Sequence, residues 1–242
     1  MNGTSYGYTS DGQLSTEGAD TLSWDGRGRL TGGTFSGQSV SYGFDATGFR
    51  RQRGPASGSV TTYYLLGGSY EKPPSGPLAL SDVSGPAGDL AHSAGAPDLT
   101  HTPTFLYYSG HGDTAAEADT TGTRTASYTY DPFGAPEQAP PANTTSERWT
   151  GRWDKKFDST SSLIEMGARP YDPALGRFLA TDPIEGGSLN TYDYVNQDPL
   201  NTYDLSGTMP AEGPVYCSGL HGRRLKKCAW FKWSADVYLR HL

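Results

Sequence analysis

Cysteine is almost missing from these 242 residues. Only Cys217 and Cys228 occur, with ten residues between them. That spacing excludes a CxxC redox pair and a paired zinc site, and it leaves the body of the chain without a disulfide framework. Long apolar runs are missing too. No stretch approaches 18 consecutive apolar residues and hydrophobic residues are 34% of the chain, which excludes a membrane-spanning helix. The opening stretch MNGTSYGYTSDGQLSTEG has neither the charged region nor the apolar segment of a secretion signal. The expectation is a soluble chain without a signal peptide, cytoplasmic before any export or delivery to a cell surface.

Cofactor signatures are equally scarce. The HGD at His111 to Asp113 has no other His, Cys or carboxylate at ligand spacing nearby and reads as a surface turn. The glycine-rich GGTFSG, Gly32 to Gly37, lacks the lysine and helix context of a phosphate loop and reads as a hairpin turn. Neither a metal nor a cofactor is expected.

Glycine and tyrosine are plentiful, at 32 and 16 residues, and so much of the chain must be turn and half-buried strand. A loose repeat organises them. In YGYTSDGQL, LSWDGRGRL, YGFDATGFR and YTYDPFGAP an aromatic is followed four residues on by glycine: Tyr8 and Gly12, Trp24 and Gly28, Phe44 and Gly48, Tyr130 and Gly134. Aromatics also recur two apart at Tyr6/Tyr8, Tyr42/Phe44, Tyr128/Tyr130 and Tyr192/Tyr194, and residues i and i+2 share one face of a strand. The unit is strand, turn, strand. Such a hairpin cannot bury its aromatic face alone and must stack on its neighbours. Two breaks interrupt the pattern, Gly67 to Pro103 and Ala135 to Glu147. Their Pro, Gly, Ser and Ala content predicts loop or disorder.

Charge divides the chain. The net value is −7, yet from Met209 onward Arg223, Arg224, Lys226, Lys227, Lys232 and Arg240 outnumber Glu212 and Asp236. This tail is basic and aromatic, and it holds the only nucleic-acid signal in the sequence. It is short for a domain that folds unaided. It reads as a remnant, with a helix predicted from Ala229 to Leu239 that puts Trp230, Trp233 and Val237 on one face.

The units FLYYSGHGDTAAEADTTGTRTASYTYDPFGAP and ARPYDPALGRFLATDPIEGGSLNTYDYVNQDPLNTYDLSG resemble YD repeats that close in the RHS repeat-associated core domain of polymorphic toxins. The resemblance covers Phe105 to Gly207, and Met1 to Gly68 resembles preceding YD repeats. It implies an all-β fold: an antiparallel YD-repeat hairpin sheet forming part of a shell, with a core domain, long disordered loops and the short C-terminal helix. The implied divisions are hairpins over 1–68, a Pro/Gly/Ser-rich loop over 69–103, the core over 104–208 and a variable basic tail over 209–242, a truncated toxin or a remnant.

It also implies a role. Shells of this family enclose a C-terminal toxin, severed in several members by an intramolecular aspartyl protease in the core. The family's GRF…DP motif falls on Gly176, Arg177, Phe178, Asp182 and Pro183. Its closing DPxGL motif falls on Asp204, Leu205, Ser206, Gly207 and Thr208, with Leu205 in place of Pro and Thr208 in place of Leu. Asp182 and Asp204 are thereby the implied catalytic pair and Thr208–Met209 the implied scissile bond. Arg177 is either the pair's ionic partner or a strand arginine covering aromatics, and Asp172 and Asp198 read as turn residues. The implied partners are the chain's own C-terminal segment, a secretion apparatus and an immunity protein, with no membrane. Two other readings stand beside this one. One is a cell-surface YD-repeat protein that binds carbohydrate or a neighbouring cell without cleavage, and the other is an inert fragment of a longer protein.

Overall fold

Six hairpin turns share one backbone geometry, which accounts for the aromatic-to-glycine step. At Asp25, the amide bonds the Arg29 carbonyl at 3.0 Å, and the Gly28 amide returns to the Asp25 carbonyl at 3.0 Å. The same two bonds recur at Thr9, Asp45, Ser109, Asp119 and Asp131. The glycine three residues on always has positive φ, from +77° at Gly28 to +97° at Gly48. This is a type I turn closed by a glycine bulge. Aspartate suits its first position because one carboxylate oxygen accepts two amides, as Asp45 Oδ1 does from Thr47 and Phe49 at 2.9 and 3.0 Å. The strand register slips at the preceding residue, at Tyr8, Trp24, Phe44, Tyr108 and Ala118. The turn at Ser109 follows the step through Tyr108 and Gly112, whereas that at Asp119 has Ala118 in the aromatic's place.

The computed structural model describes residues 3–55, 62–65, 70–72, 80–85, 88–93, 102–139, 146–184, 190–208 and 211–212. The chain divides into two compact units, Met1–Ala211 and Glu212–Leu242, and the architecture here is that of the first. The helix expected over Ala229 to Leu239 lies outside the described residues. Among those described, no helix is long and apolar enough to cross a membrane.

Thirteen strands form one antiparallel meander in sequence order. Its first half is β1 (Tyr6–Tyr8), β2 (Leu14–Glu17), β3 (Asp20–Trp24), β4 (Leu30–Phe35), β5 (Gln38–Phe44) and β6 (Arg50–Gly54). It continues through β7 (Thr62–Leu65), β8 (Tyr70–Lys72), β9 (Leu80–Gly85), β10 (Gly88–Ser93), β11 (Pro103–Tyr108), β12 (Thr114–Ala118) and β13 (Arg124–Ser127). The all-β antiparallel expectation therefore holds. Within 69–103, expected to be loop over most of its length, residues 70–72, 80–85 and 88–93 form β8, β9 and β10, which pair with their neighbours. Backbone pairing to a sheet already formed on both sides satisfies such strands with few apolar side chains of their own.

A second sheet of four short strands, β14 (Phe157–Asp158), β15 (Leu163–Met166), β16 (Arg169–Asp172) and β17 (Arg177–Phe178), lies against the first. Strand alternation explains how it serves two cores. Leu163 and Leu179 join Leu14, Leu22, Leu30, Phe35, Val40 and Tyr42 of the long sheet. Their chain neighbours Ile164 and Phe178 turn the other way, into Trp149, Met166, Tyr171, Tyr194 and Val195. The Leu14 amide also bonds the Leu179 carbonyl at 2.8 Å. Between the sheets, the buried Asp158 carboxylate accepts from Tyr42 Oη at 3.0 Å and from Arg53 Nη2 at 3.0 Å. Burial alone would raise the Asp158 pKa, but the Arg53 guanidinium, the Thr160 amide and Arg50 together outweigh it and hold the carboxyl below its ordinary value.

Candidate active site

The two aspartates of the closing motif are each fixed first by a local turn. Asp182 Oδ1 accepts the Ile184 amide at 2.9 Å. Asp204 is a turn aspartate of the repeat's own kind: the Gly207 amide reaches its carbonyl at 3.3 Å and the Thr208 amide reaches Oδ1 at 3.0 Å. Tyr203 and Gly207 are thus one more aromatic-to-glycine step, and the final motif is a modified repeat turn. Gly207 has φ +67° and lies on the β15–β16 turn. A Cβ there would stand 2.3 Å from the Met166 carbonyl oxygen, so only glycine fits. The Ala168 amide bonds the Ser206 carbonyl at 2.9 Å and completes this clamp.

The second carboxylate oxygens decide the chemistry. Asp25 and Asp45 direct theirs to Arg29 and Arg51 near the surface. Asp182 and Asp204 direct theirs inward to one shared donor. Arg169 Nη2 lies 3.1 Å from Asp182 Oδ2 and 3.2 Å from Asp204 Oδ2, and all three side chains are at most 2% exposed. The same guanidinium donates through Nη1 to the Thr191 carbonyl at 3.0 Å and through Nε to the Gly207 carbonyl at 2.5 Å. Its carbon sits 3.7 Å above the Phe178 ring centre, a cation–π contact in a desolvated setting. Burial pulls the Arg169 pKa below its ordinary value, against Asp182 and Asp204, which push it up. Lys155 also feels the Asp204 charge, and burial lowers its pKa.

Residues 182 and 204 are thus brought together, and the turn of Asp204 holds Thr208 beside them. Met209, on the other side of the implied scissile bond, lies outside the described residues. Arg177 is placed elsewhere: its guanidinium carbon is 4.6 Å from the Tyr192 ring centre, the arrangement of a strand arginine covering an aromatic. The arginine at the carboxylates is Arg169, two residues before Tyr171 in ARPYDP. Nothing local marks it, because its partners lie 13 and 35 residues away.

Asp172 caps its turn through the amides of Ala174 and Leu175 at 2.8 and 3.1 Å, and Asp198 accepts from Asn201 Nδ2 at 2.7 Å. The Gly32 to Gly37 stretch falls in β4 and its hairpin with β5. His111, read as part of a surface turn, instead has its ring stacked on Tyr203 at 4.5 Å. Among the described residues, no three His, Cys, Asp or Glu side chains converge as a metal site.

A meandering hairpin sheet packed on a small second sheet is a fold shared with known proteins. No family model matches the chain. It is 30% identical over 223 residues, 86% of its length, to the tRNA3(Ser)-specific nuclease WapA of Bacillus spizizenii, and 30% identical over 219 residues to the tRNA nuclease WapA of Bacillus subtilis. It spans about 9% of the length of these relatives. Among solved structures, the Photorhabdus luminescens Tc holotoxin pore matches with a TM-score of 0.67 and 24% identity, over 84% of this chain and 11% of that one. The TcdB2–TccC3–Cdc42 crystal structure matches at 0.65 and 22%, over 83% and 11%. At these identities the structural likeness is one of fold. Both comparisons set the chain beside segments of much longer proteins of the RHS-toxin kind.

Proposed function

We propose that the chain is a shell-and-core segment of an RHS-type polymorphic toxin, and that its core cuts the peptide bond between Thr208 and Met209 to free the C-terminal segment inside the shell. The observation that carries this reading is the single nitrogen of Arg169 shared by Asp182 and Asp204, with the Thr208 amide tied to the second carboxylate. Peptide hydrolysis by two carboxyls needs one ionised, to activate water, and one protonated, to assist at the amide. Both carboxyls meet at one guanidinium, and the reaction needs a proton on one of them at the moment of cutting. Arg169 stabilises the ionised partner and, through the Gly207 carbonyl, fixes the segment to be cut. The target bond is part of the same chain, so its effective concentration is high and a slow, single-turnover reaction suffices. The nuclease activity in the relatives' names belongs to those proteins; for this chain the tail's chemistry is left open.

The test is the intact mass of the expressed chain. Wild type loses the tail from Met209 onward, while Asp182→Asn and Asp204→Asn keep it. A folded wild-type chain that stays whole sinks the protease.

A further inference from the structure

His111 stands in the β11–β12 turn with both ring nitrogens within hydrogen-bond distance of an oxygen and its ring stacked on two aromatics. Nδ1 lies 2.9 Å from Asp113 Oδ1 and Nε2 lies 2.9 Å from the Pro199 carbonyl oxygen. The ring stacks on Tyr203 at 4.5 Å and on Trp149 at 5.9 Å. The Tyr203 hydroxyl donates to the His111 carbonyl at 2.7 Å, so the two residues are joined twice. A carbonyl can only accept. Asp113 Oδ1 is an acceptor as well, since it already takes the Thr150 amide at 3.0 Å. Neutral imidazole has one N–H and can satisfy one of these two groups. Imidazolium has two and satisfies both.

We propose that His111 in its imidazolium form is a proton-dependent positioning residue for Asp204, tying the turn at Asp198 to Tyr203 onto the β11–β12 hairpin. The role rests on the cleavage reading above, although the latch itself does not. Pro199 and Tyr203 are the fifth and first residues before Asp204, so fixing both of them sets where that carboxylate stands. Loss of the second proton turns a lone pair toward an oxygen, and the turn loosens as pH rises. Among the described residues the charged and titratable neighbours are few. Asp113 Oδ1 faces the ring from the same hairpin at 2.9 Å. Arg152 lies in the 3-10 turn Gly151–Trp153, whose Arg152 amide bonds the Gly112 carbonyl at 3.0 Å. Tyr203, packed on the face, has its hydroxyl pKa raised first by burial and then by Asp113, so it stays a neutral hydrogen-bond donor. Tyr130 and Tyr194 also feel Asp113 and are raised in the same way.

Two measurements test this. The first uses the full-length Asp182→Asn chain with 15N-labelled histidine, the His111 signals being assigned by their loss in His111→Gln. Both ring nitrogens should carry protons at the acidic end. Raising the pH should convert them to one tautomer while the Asp204 backbone amide shifts with the same midpoint. A single neutral tautomer throughout the folded range, or an Asp204 amide that ignores the titration, overturns the latch. The second follows wild-type self-cleavage, which should slow by about tenfold through that midpoint, the effect of losing one charge-assisted hydrogen bond. His111→Gln should cut slowly with that step absent. A His111→Gln profile that keeps the step overturns the positioning role. A wild-type chain that never cuts defeats the protease reading alone, since the first measurement still decides the latch.

Discussion

Replacing Arg169 by glutamine tests the center of the site directly. The substitution removes the donor between Asp182 and Asp204, leaves two carboxylates side by side at no more than 2% exposure, and breaks the bonds to the Thr191 and Gly207 carbonyls. Removing one partner of a buried ionic cluster costs about 3–5 kcal/mol, because the remaining charge is left without compensation. For a unit of this size, each 1 kcal/mol lowers the melting temperature by roughly 2–4 °C. Arg169→Gln should therefore melt roughly 6–20 °C below wild type, each sample's mass being taken first so that cut and uncut chains are not compared with each other. The triple variant Arg169→Gln, Asp182→Asn, Asp204→Asn carries no charge there and should regain much of the loss. An Arg169→Gln chain that melts within 2 °C of wild type, or a triple variant less stable than the single one, would refute the argument that this bridge organises the core.

Two further outcomes follow from single residues. Burial raises the Asp172 pKa above its ordinary value of 3.8; a carboxyl with a raised folded-state pKa is stabilising only while protonated, so stability falls as pH rises from about 4 through the raised value. Asp172→Asn keeps an oxygen for the Ala174 and Leu175 amides while removing the charge, so urea midpoints should show a variant at least as stable as wild type at neutral pH, with that advantage gone below about pH 4, where the wild-type carboxyl is also uncharged. Gly207→Ala forces a methyl against the Met166 carbonyl at a positive φ and should cost about 1–3 kcal/mol, read as a lower melting temperature together with slower loss of the tail.

The hairpins were legible because their code is local. An aspartate or threonine after the aromatic, and a glycine three residues further on, specify a bulged turn within five residues, and alternation of aromatics two apart gives the strands. Three turns are harder to read: that at Ser109, where serine replaces aspartate although Tyr108 and Gly112 carry the step; that at Asp119, which follows Ala118; and that at Asp204, whose role in the repeat is masked by its place in the closing motif. Strands β8 to β10 were illegible for the opposite reason. Their side chains carry little apolar signal, and their pairing comes from neighbours on either side.

By itself the sequence determined an all-β chain of stacked hairpins and, through its closing motif, pointed to Asp182 and Asp204. Tertiary structure alone decided which arginine meets them. Arg177 and Arg169 both lie in short strands of the same sheet, but one covers Tyr192 at 4.6 Å and the other is buried between two carboxylates. Tertiary structure also decided that His111, far from Pro199 and Tyr203 in sequence, is enclosed by both. Turn chemistry depends on residues a few positions apart, whereas a buried charge finds its partner only when separate strands and turns pack against one another.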